Sequence, residues 1–150
     1  MHICRQRILH FLCATHKSRN SLKTITSKYS IAVLPFLNMS PDKEDEYFSD
    51  GVTEEILNAL SKIDGLRVTA RTSSFAFKGK HADAREIGEK LNVALILEGS
   101  VRKASGRVRI TAQLIKTGDG FHVWSEAWDR EMKDIFFVQD EIARLIAEKV

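Results

Sequence analysis

Residues 46–60 read EYFSDGVTEEILNAL. The Asp50-Gly51 pair inside them is a common mark of a tight turn. With Asp42, Glu44, Asp45 and Glu46 just upstream, it also invites comparison with a metal-binding loop. Periodicity decides between these readings. Apolar side chains fall at Phe48, Val52, Ile56, Leu60 and Ile63, in steps of four, four, four and three that follow one face of a helix. A turn at Asp50-Gly51 would reset that phase, and the phase runs straight through. The spacing predicts a helix that stops at Asp64-Gly65, with Gly65 as a left-handed cap. Asp50 is expected on the wet face with Glu54, Asn58 and Ser61. Gly51 is expected toward the core, where its missing side chain would let a strand or a second helix come close. A calcium loop needs acids at alternate positions and a closing glutamate, which SPDKEDEYFSDG does not supply. Asp45 and Glu46 instead suit the positive N-terminus of a helix.

The flanking segments build outward from this helix. Upstream, SIAVLPF (30–36) is an apolar run stopped by Pro35, which reads as a buried strand followed by the loop LNMSPDKED. Downstream, LRVTA (66–70) reads as a second strand and RTSSFAFKGKH as an irregular segment. In DAREIGEKLN, Asp83 can cap a helix with Glu86 three residues on, and Ala84, Ile87, Gly88 and Leu91 form its buried stripe. VALILEGSVRKA, RVRITAQLIKT and FHVWSEAWDRE then read as three strands joined by turns at SG (105–106) and TGDG (117–120). DIFFVQDEIARLIAEKV closes as a helix with Phe136, Gln139, Ile142 or Ala143, and Ile146 along one side. The order β-α-β-α-β-β-β-α predicts a two-layer α/β domain with a mixed sheet.

Composition sets the outer limits. The 150 residues are 43% hydrophobic and 29% charged, with two prolines and eight glycines, ordinary values for one globular domain. The formal charge of +3 is unevenly spread. Of the 23 basic residues, six lie in residues 1–30, which hold no acid; the remainder carries 17 basic against 20 acidic side chains. The domain is therefore mildly acidic and lacks the basic cluster that nucleic-acid binding requires. Both cysteines, Cys4 and Cys13, also precede it, so no disulfide is expected within it. Residues 1–29 show no clear period. Their longest apolar run, Ile8 to Ala14, is interrupted by His10 and is far short of the roughly 20 residues of a spanning helix. They read as a disordered basic leader or linker before a domain over 30–150. The final helix runs to Val150 without a stop signal, as if the chain were cut before further sequence.

Six segments, IAVLPFLNMS, YFSDGVTEEILNAL, RTSSFAFKGK, LILEGSVRK, VRITAQLI and VWSEAWDRE with IFFVQDEIA, occur in order and at the spacing of a known family. From about Ser30 to Val150 the chain resembles the TolB-like amino-terminal domain of bacterial signalling proteins. The resemblance implies a module without catalytic residues or cofactor. It also implies neighbours in a longer chain: an adenylate/guanylate cyclase or winged-helix domain on one side and tetratricopeptide repeats on the other. The 29 residues ahead of the match are too few to hold a cyclase or a winged helix.

The motifs agree with a non-enzyme. KASGR, KTGDG and EGSVRK hold glycines, but none has the spacing of a phosphate loop. Ser73 and Ser74 lack a nucleophile elbow, and His81 and His122 have no acid at a telling distance. The histidines make no zinc spacing. The informative segment is the three-stranded meander. In β-alternation, Val108, Ile110, Ala112 and Leu114 share one face, and Arg109, Thr111 and Gln113 the other. Glu98, Ser100 and Arg102 fall together, as do His122, Trp124, Glu126, Trp128 and Arg130. The expectation is one apolar face for the helices and one polar-aromatic face on which Glu98, Arg102, Arg109, Gln113, Trp124, Glu126 and Trp128 form a binding surface. The reading is a signalling or scaffold module that contacts a protein partner, neighbouring domains of a longer chain or a small ligand, with no nucleic acid bound by this domain. The alternatives are a fragment of a cyclase-type signalling enzyme without its catalytic domain, or a periplasmic envelope-associated protein.

Overall fold

The computed structural model describes residues 29–150. The leader expected over 1–29 lies, apart from Tyr29, outside the described residues. The chain starts with β1 (Ser30–Val33), and after Leu34-Pro35-Phe36 it resumes as the two-residue β2 (Leu37–Asn38). A 3₁₀ turn at Lys43–Asp45 leads into α1 (Glu46–Ser61). Then come β3 (Arg67–Val68), α2 (Arg71–Phe75), α3 (Ala84–Leu91), β4 (Leu95–Ala104), β5 (Arg107–Lys116), β6 (His122–Glu131) and α4 (Ile135–Lys149). The sheet order is β3-β1-β4-β5-β6, and β2 pairs with β4 beyond the end of β1. β1 runs parallel to β3 and β4, whereas β4, β5 and β6 form an antiparallel meander. The sheet is mixed, as the order of elements predicts.

The long helices α1 and α4 pack on one face of this sheet. Val52, Ile56 and Leu60 of α1 and Val138, Ile142 and Ile146 of α4 meet Ile31, Val33, Leu97, Val101, Ile110, Ala112 and Leu114 in one core. These two layers carry the domain. The opposite face holds a smaller cluster in which Ile87 of α3 covers Ala32, Leu34 and Ile96. Beyond that cluster, toward β5 and β6, this second face is open.

Turn chemistry follows the expected glycines. Ser105 and Gly106 both take positive φ, 52° and 75°, which matches the right-handed twist of the β4–β5 hairpin. Gly65 does take a positive φ of 83°, but it is not the cap expected of it: α1 ends at Ser61 with Lys62, in right-handed conformation, as its cap. The Asp83 carboxylate caps α3 by accepting from the Glu86 N–H at 2.9 Å.

Four other expectations need correction. The helix does run unbroken through Asp50-Gly51, but a side chain at Gly51 would meet nothing within 4 Å, so no neighbour needs that glycine. Asp50 is not on a fully wet face: its carboxylate accepts from Lys78 Nζ at 2.7 and 2.9 Å. The RTSSF stretch is a short helix rather than irregular backbone. On α4 the buried side is set by Ile135, Val138, Gln139, Ile142, Ala143 and Ile146, and Phe136 stands 66% exposed. Only Phe136 departs from the expected stripe: Ile135 begins both the helix and its buried side, and Gln139, Ile142, Ala143 and Ile146 are buried as expected.

Candidate binding surface

Strand register decides what the meander presents. Glu98 lies opposite Gln113, Ser100 opposite Thr111 and Arg102 opposite Arg109. Across the next ladder, Gln113 lies opposite Ser125, Thr111 opposite Ala127 and Arg109 opposite Asp129. Directly paired residues share a face, so these side chains form the open face. Trp124, Glu126 and Trp128 sit opposite Leu114, Ala112 and Ile110, and so belong to the helix side. The expected seven-residue surface is therefore split. Glu98, Arg102, Arg109 and Gln113 are brought together, and Trp124, Glu126 and Trp128 are on the reverse.

Trp128 is a core residue, 3% exposed. Its Nε1 donates to Glu141 Oε2 of α4 at 3.2 Å, the partner a buried indole N–H needs. Trp124 packs beside it, ring centroids 6.0 Å apart and tilted by 55°. The two tryptophans pin α4 to the sheet. Alternation alone could not reveal this, because either parity of β6 could have faced the helices.

The open face runs into a cleft of about 650 Å³. It lies past the carboxyl end of β1, where Pro35 interrupts the ladder before β2 resumes it against β4, the usual end for a site in an open α/β sheet. Leu34, Phe36, Phe77 and Ile87 give it apolar walls, and Glu98, Ser100, Thr111 and Gln113 line it from the open face. Lys78, Lys80 and His81 come from the segment after α2. Sequence reasoning missed this segment; the strand broken at Pro35 and the Phe77-Lys78-Gly79-Lys80 run were the available signals.

Polar groups in the cleft are tied down to different degrees. Ser100 Oγ and Thr111 Oγ1 share a hydrogen bond of 2.6 Å, so the serine hydroxyl is engaged by threonine rather than by His81. Lys78 is held by Asp50, and by Glu46 at 3.1 Å. The hydrogen bond to Asp50, chiefly, raises its pKa above 10.5, with burial opposing. Arg102 and Arg109 face each other with no ion pair to either among the described residues. Like charges placed directly across a ladder repel; Asp129, across from Arg109 on its other side, is engaged by Arg107 at 3.1 Å, so this end of the face keeps an excess of positive charge. No group of three or more potential metal ligands occurs among the described residues, and no helix among them is long and apolar enough to cross a membrane.

Comparison with known proteins adds three likenesses. A Rhizobium meliloti (strain 1021) protein whose name, adenylate cyclase 3, is a provisional one is 55% identical over 122 residues. The match takes in 81% of this chain but only 21% of that relative. TolB from Acinetobacter baumannii superposes with a TM-score of 0.60 at 12% identity, over 81% of this chain and 28% of TolB. Lipoprotein GNA1162 from Neisseria meningitidis gives a TM-score of 0.59 at 20% identity, over 79% of this chain and 96% of the lipoprotein. At such identities these two likenesses are of fold, and it is at the level of fold that the TolB resemblance holds. Residues 27–145 match the HilA/YgeH-like transcriptional regulator second domain. A family of regulators and a relative bearing a cyclase's name place the chain among signalling and regulatory domains. The chain belongs to the HilA/YgeH-like second-domain family.

Proposed function

We propose that the domain is a non-catalytic recognition module of a larger signalling or regulatory protein, and that its open sheet face binds an acidic-apolar peptide segment of a partner or of a neighbouring domain. The observation that carries this reading is the Arg102–Arg109 pair, facing each other without an ion pair to either among the described residues, on the same face as an apolar-walled cleft. A carboxylate laid across the two arginines would relieve their repulsion through charge-assisted hydrogen bonds. A large apolar side chain a few residues along would fill the cleft, with Glu98 and Gln113 at its rim. Membership of a regulator family supports a binding role over a catalytic one. The cyclase name belongs to a relative of which this chain spans about a fifth, and the resemblance is to that portion alone.

A displayed random-peptide library selected on the whole chain tests this. Enriched peptides should carry Asp or Glu near a large apolar residue. Arg102→Glu with Arg109→Glu should lose them, and Ser100→Trp, which fills the cleft, should lose the apolar preference. Enrichment that ignores both variants, or stabilisation by small molecules with no peptide selected, would overturn the reading.

A further inference from the structure

β6 is an edge strand with nothing on its outer side among the described residues, and it runs for ten residues. Natural edges of this length are usually blunted by Pro, Lys, a bulge or a covering element. HVWSEAWDRE contains neither Pro nor Lys. Its one irregularity is a bulge at Val123, since Leu114 pairs with Trp124 and Ile115 with His122; it protects only the first residues of the strand and leaves Ser125 to Glu131 regular. The backbone direction follows from a hydrogen bond at the strand's end. Met132 N–H donates to the Gly106 carbonyl at 3.0 Å, one step beyond the Arg107–Glu131 pair. Hydrogen-bonded pairs recur every second residue in an antiparallel ladder. Trp124, Glu126, Trp128 and Arg130 therefore turn their N–H and C=O toward β5, and Ser125, Ala127, Asp129 and Glu131 turn theirs outward.

We propose that a second copy of this chain pairs on that edge, β6 against β6 antiparallel, with Trp128 on the two-fold axis. Charge selects both the occupant and the register. A two-fold axis keeps the same face of both sheets together, so only residues of equal parity can stand opposite each other. Centring on Glu126, Asp129 or Arg130 places a charge against its own copy, which repels. Centring on Ala127 makes no ion pair. Centring on Trp128 sets Glu126 opposite Arg130 of the second copy, twice, and sets no like charges together. In that register Ala127 and Asp129 exchange backbone hydrogen bonds, as do Ser125 and Glu131. Glu126 and Arg130 then form non-hydrogen-bonded pairs, the kind whose side chains come closest. Both are exposed, and the Glu126 carboxylate has no partner among the described residues. Arg130 Nη1 donates to the Asp129 carbonyl at 2.9 Å, capping one of the outward acceptors, and pairing would release it to Glu126 of the second copy. The strand's charges are thus self-complementary in one register.

Sedimentation velocity of the whole 150-residue chain over a concentration series tests this, with circular dichroism as a folding control. The chain should dimerise. Glu126→Arg and Arg130→Glu should each weaken the dimer about tenfold or more, since attraction becomes repulsion at two sites. Mixing the two variants should restore a one-to-one dimer, and the double swap in one chain should restore the homodimer. Recovery on mixing separates loss of pairing from loss of folding. A chain that stays monomeric to millimolar concentration, a dimer indifferent to the single changes, or single variants that fail to recover on mixing would each overturn the proposal.

Discussion

Thr53 joins the start of the sheet to α1. Its Oγ1 accepts from the Phe36 N–H at 2.9 Å and donates to the Ser49 carbonyl at 2.9 Å, all at 0% exposure for Thr53. Pro35 has broken the ladder at that point, so the Phe36 N–H has only this acceptor. Thr53→Val keeps the shape and strands the donor, which should cost about 1–3 kcal/mol in chemical denaturation. A cost near zero would mean that water reaches Phe36. Ser49→Ala is the matched control, because Ser49 Oγ is buried without a partner among the described residues and should be lost without penalty. Lys78 makes a pH-dependent prediction. Its pKa is raised above 10.5 by Asp50 foremost, so its contribution is complete below 10.5 and fades as pH rises through the folded value. The side chain is 41% exposed, and screening limits the contribution to about 0.2–1 kcal/mol. The stability gap between wild type and Lys78→Met should be flat from neutrality to about pH 10 and close above it. A gap that widens in alkali would contradict the pairing with Asp50 and Glu46.

At the scale of elements, the glycines separate by what faces them. Gly99 lies mid-strand in β4, and a Cβ there would run into the Thr111 carbonyl and come within 2.8 Å of the Phe36 ring. The strand can cross Phe36 and pair with β5 only without a side chain at that position. Gly51 lies inside α1 with open space around it, so it carries only the propensity cost of a mid-helix glycine. Gly99→Ala should therefore destabilise by about 1–3 kcal/mol, and Gly51→Ala should stabilise by up to about 1 kcal/mol. Urea titrations of the two variants should move the midpoint in opposite directions. Equal shifts would mean that β4 relaxes around the new methyl group.

Over the whole molecule, one asymmetry generates both proposed surfaces. Two long helices bury one face of the sheet, while α3 is too short to do more than cover β1 and the near end of β4. The remainder of that second face meets solvent, and β6 meets solvent along its edge. A face and an edge do not compete for space. Arg102→Glu with Arg109→Glu should leave self-association of the chain intact while removing peptide binding, and the edge variants should do the reverse.

Periods and turns were legible in the amino-acid order, because each is a property of neighbouring residues. The four-four-four-three stripe named α1 despite Asp50-Gly51, Ser105-Gly106 named a hairpin, and the alternation of strand and helix named the mixed sheet. The cap at Asp83 was equally local. What alternation left open was the identity of the faces. It grouped Trp124 with Trp128, and Arg109 with Gln113, correctly, but could not say that the tryptophans would lie across from Ile110 and Leu114. A shift of one residue in pairing carries a whole strand's side chains to the other face, and that choice rests on contacts between segments far apart in the chain. The cleft was hidden for the same reason. Pro35, Phe77 and Gln113 become neighbours only when β1 and β4 pair in parallel and α3 folds over them.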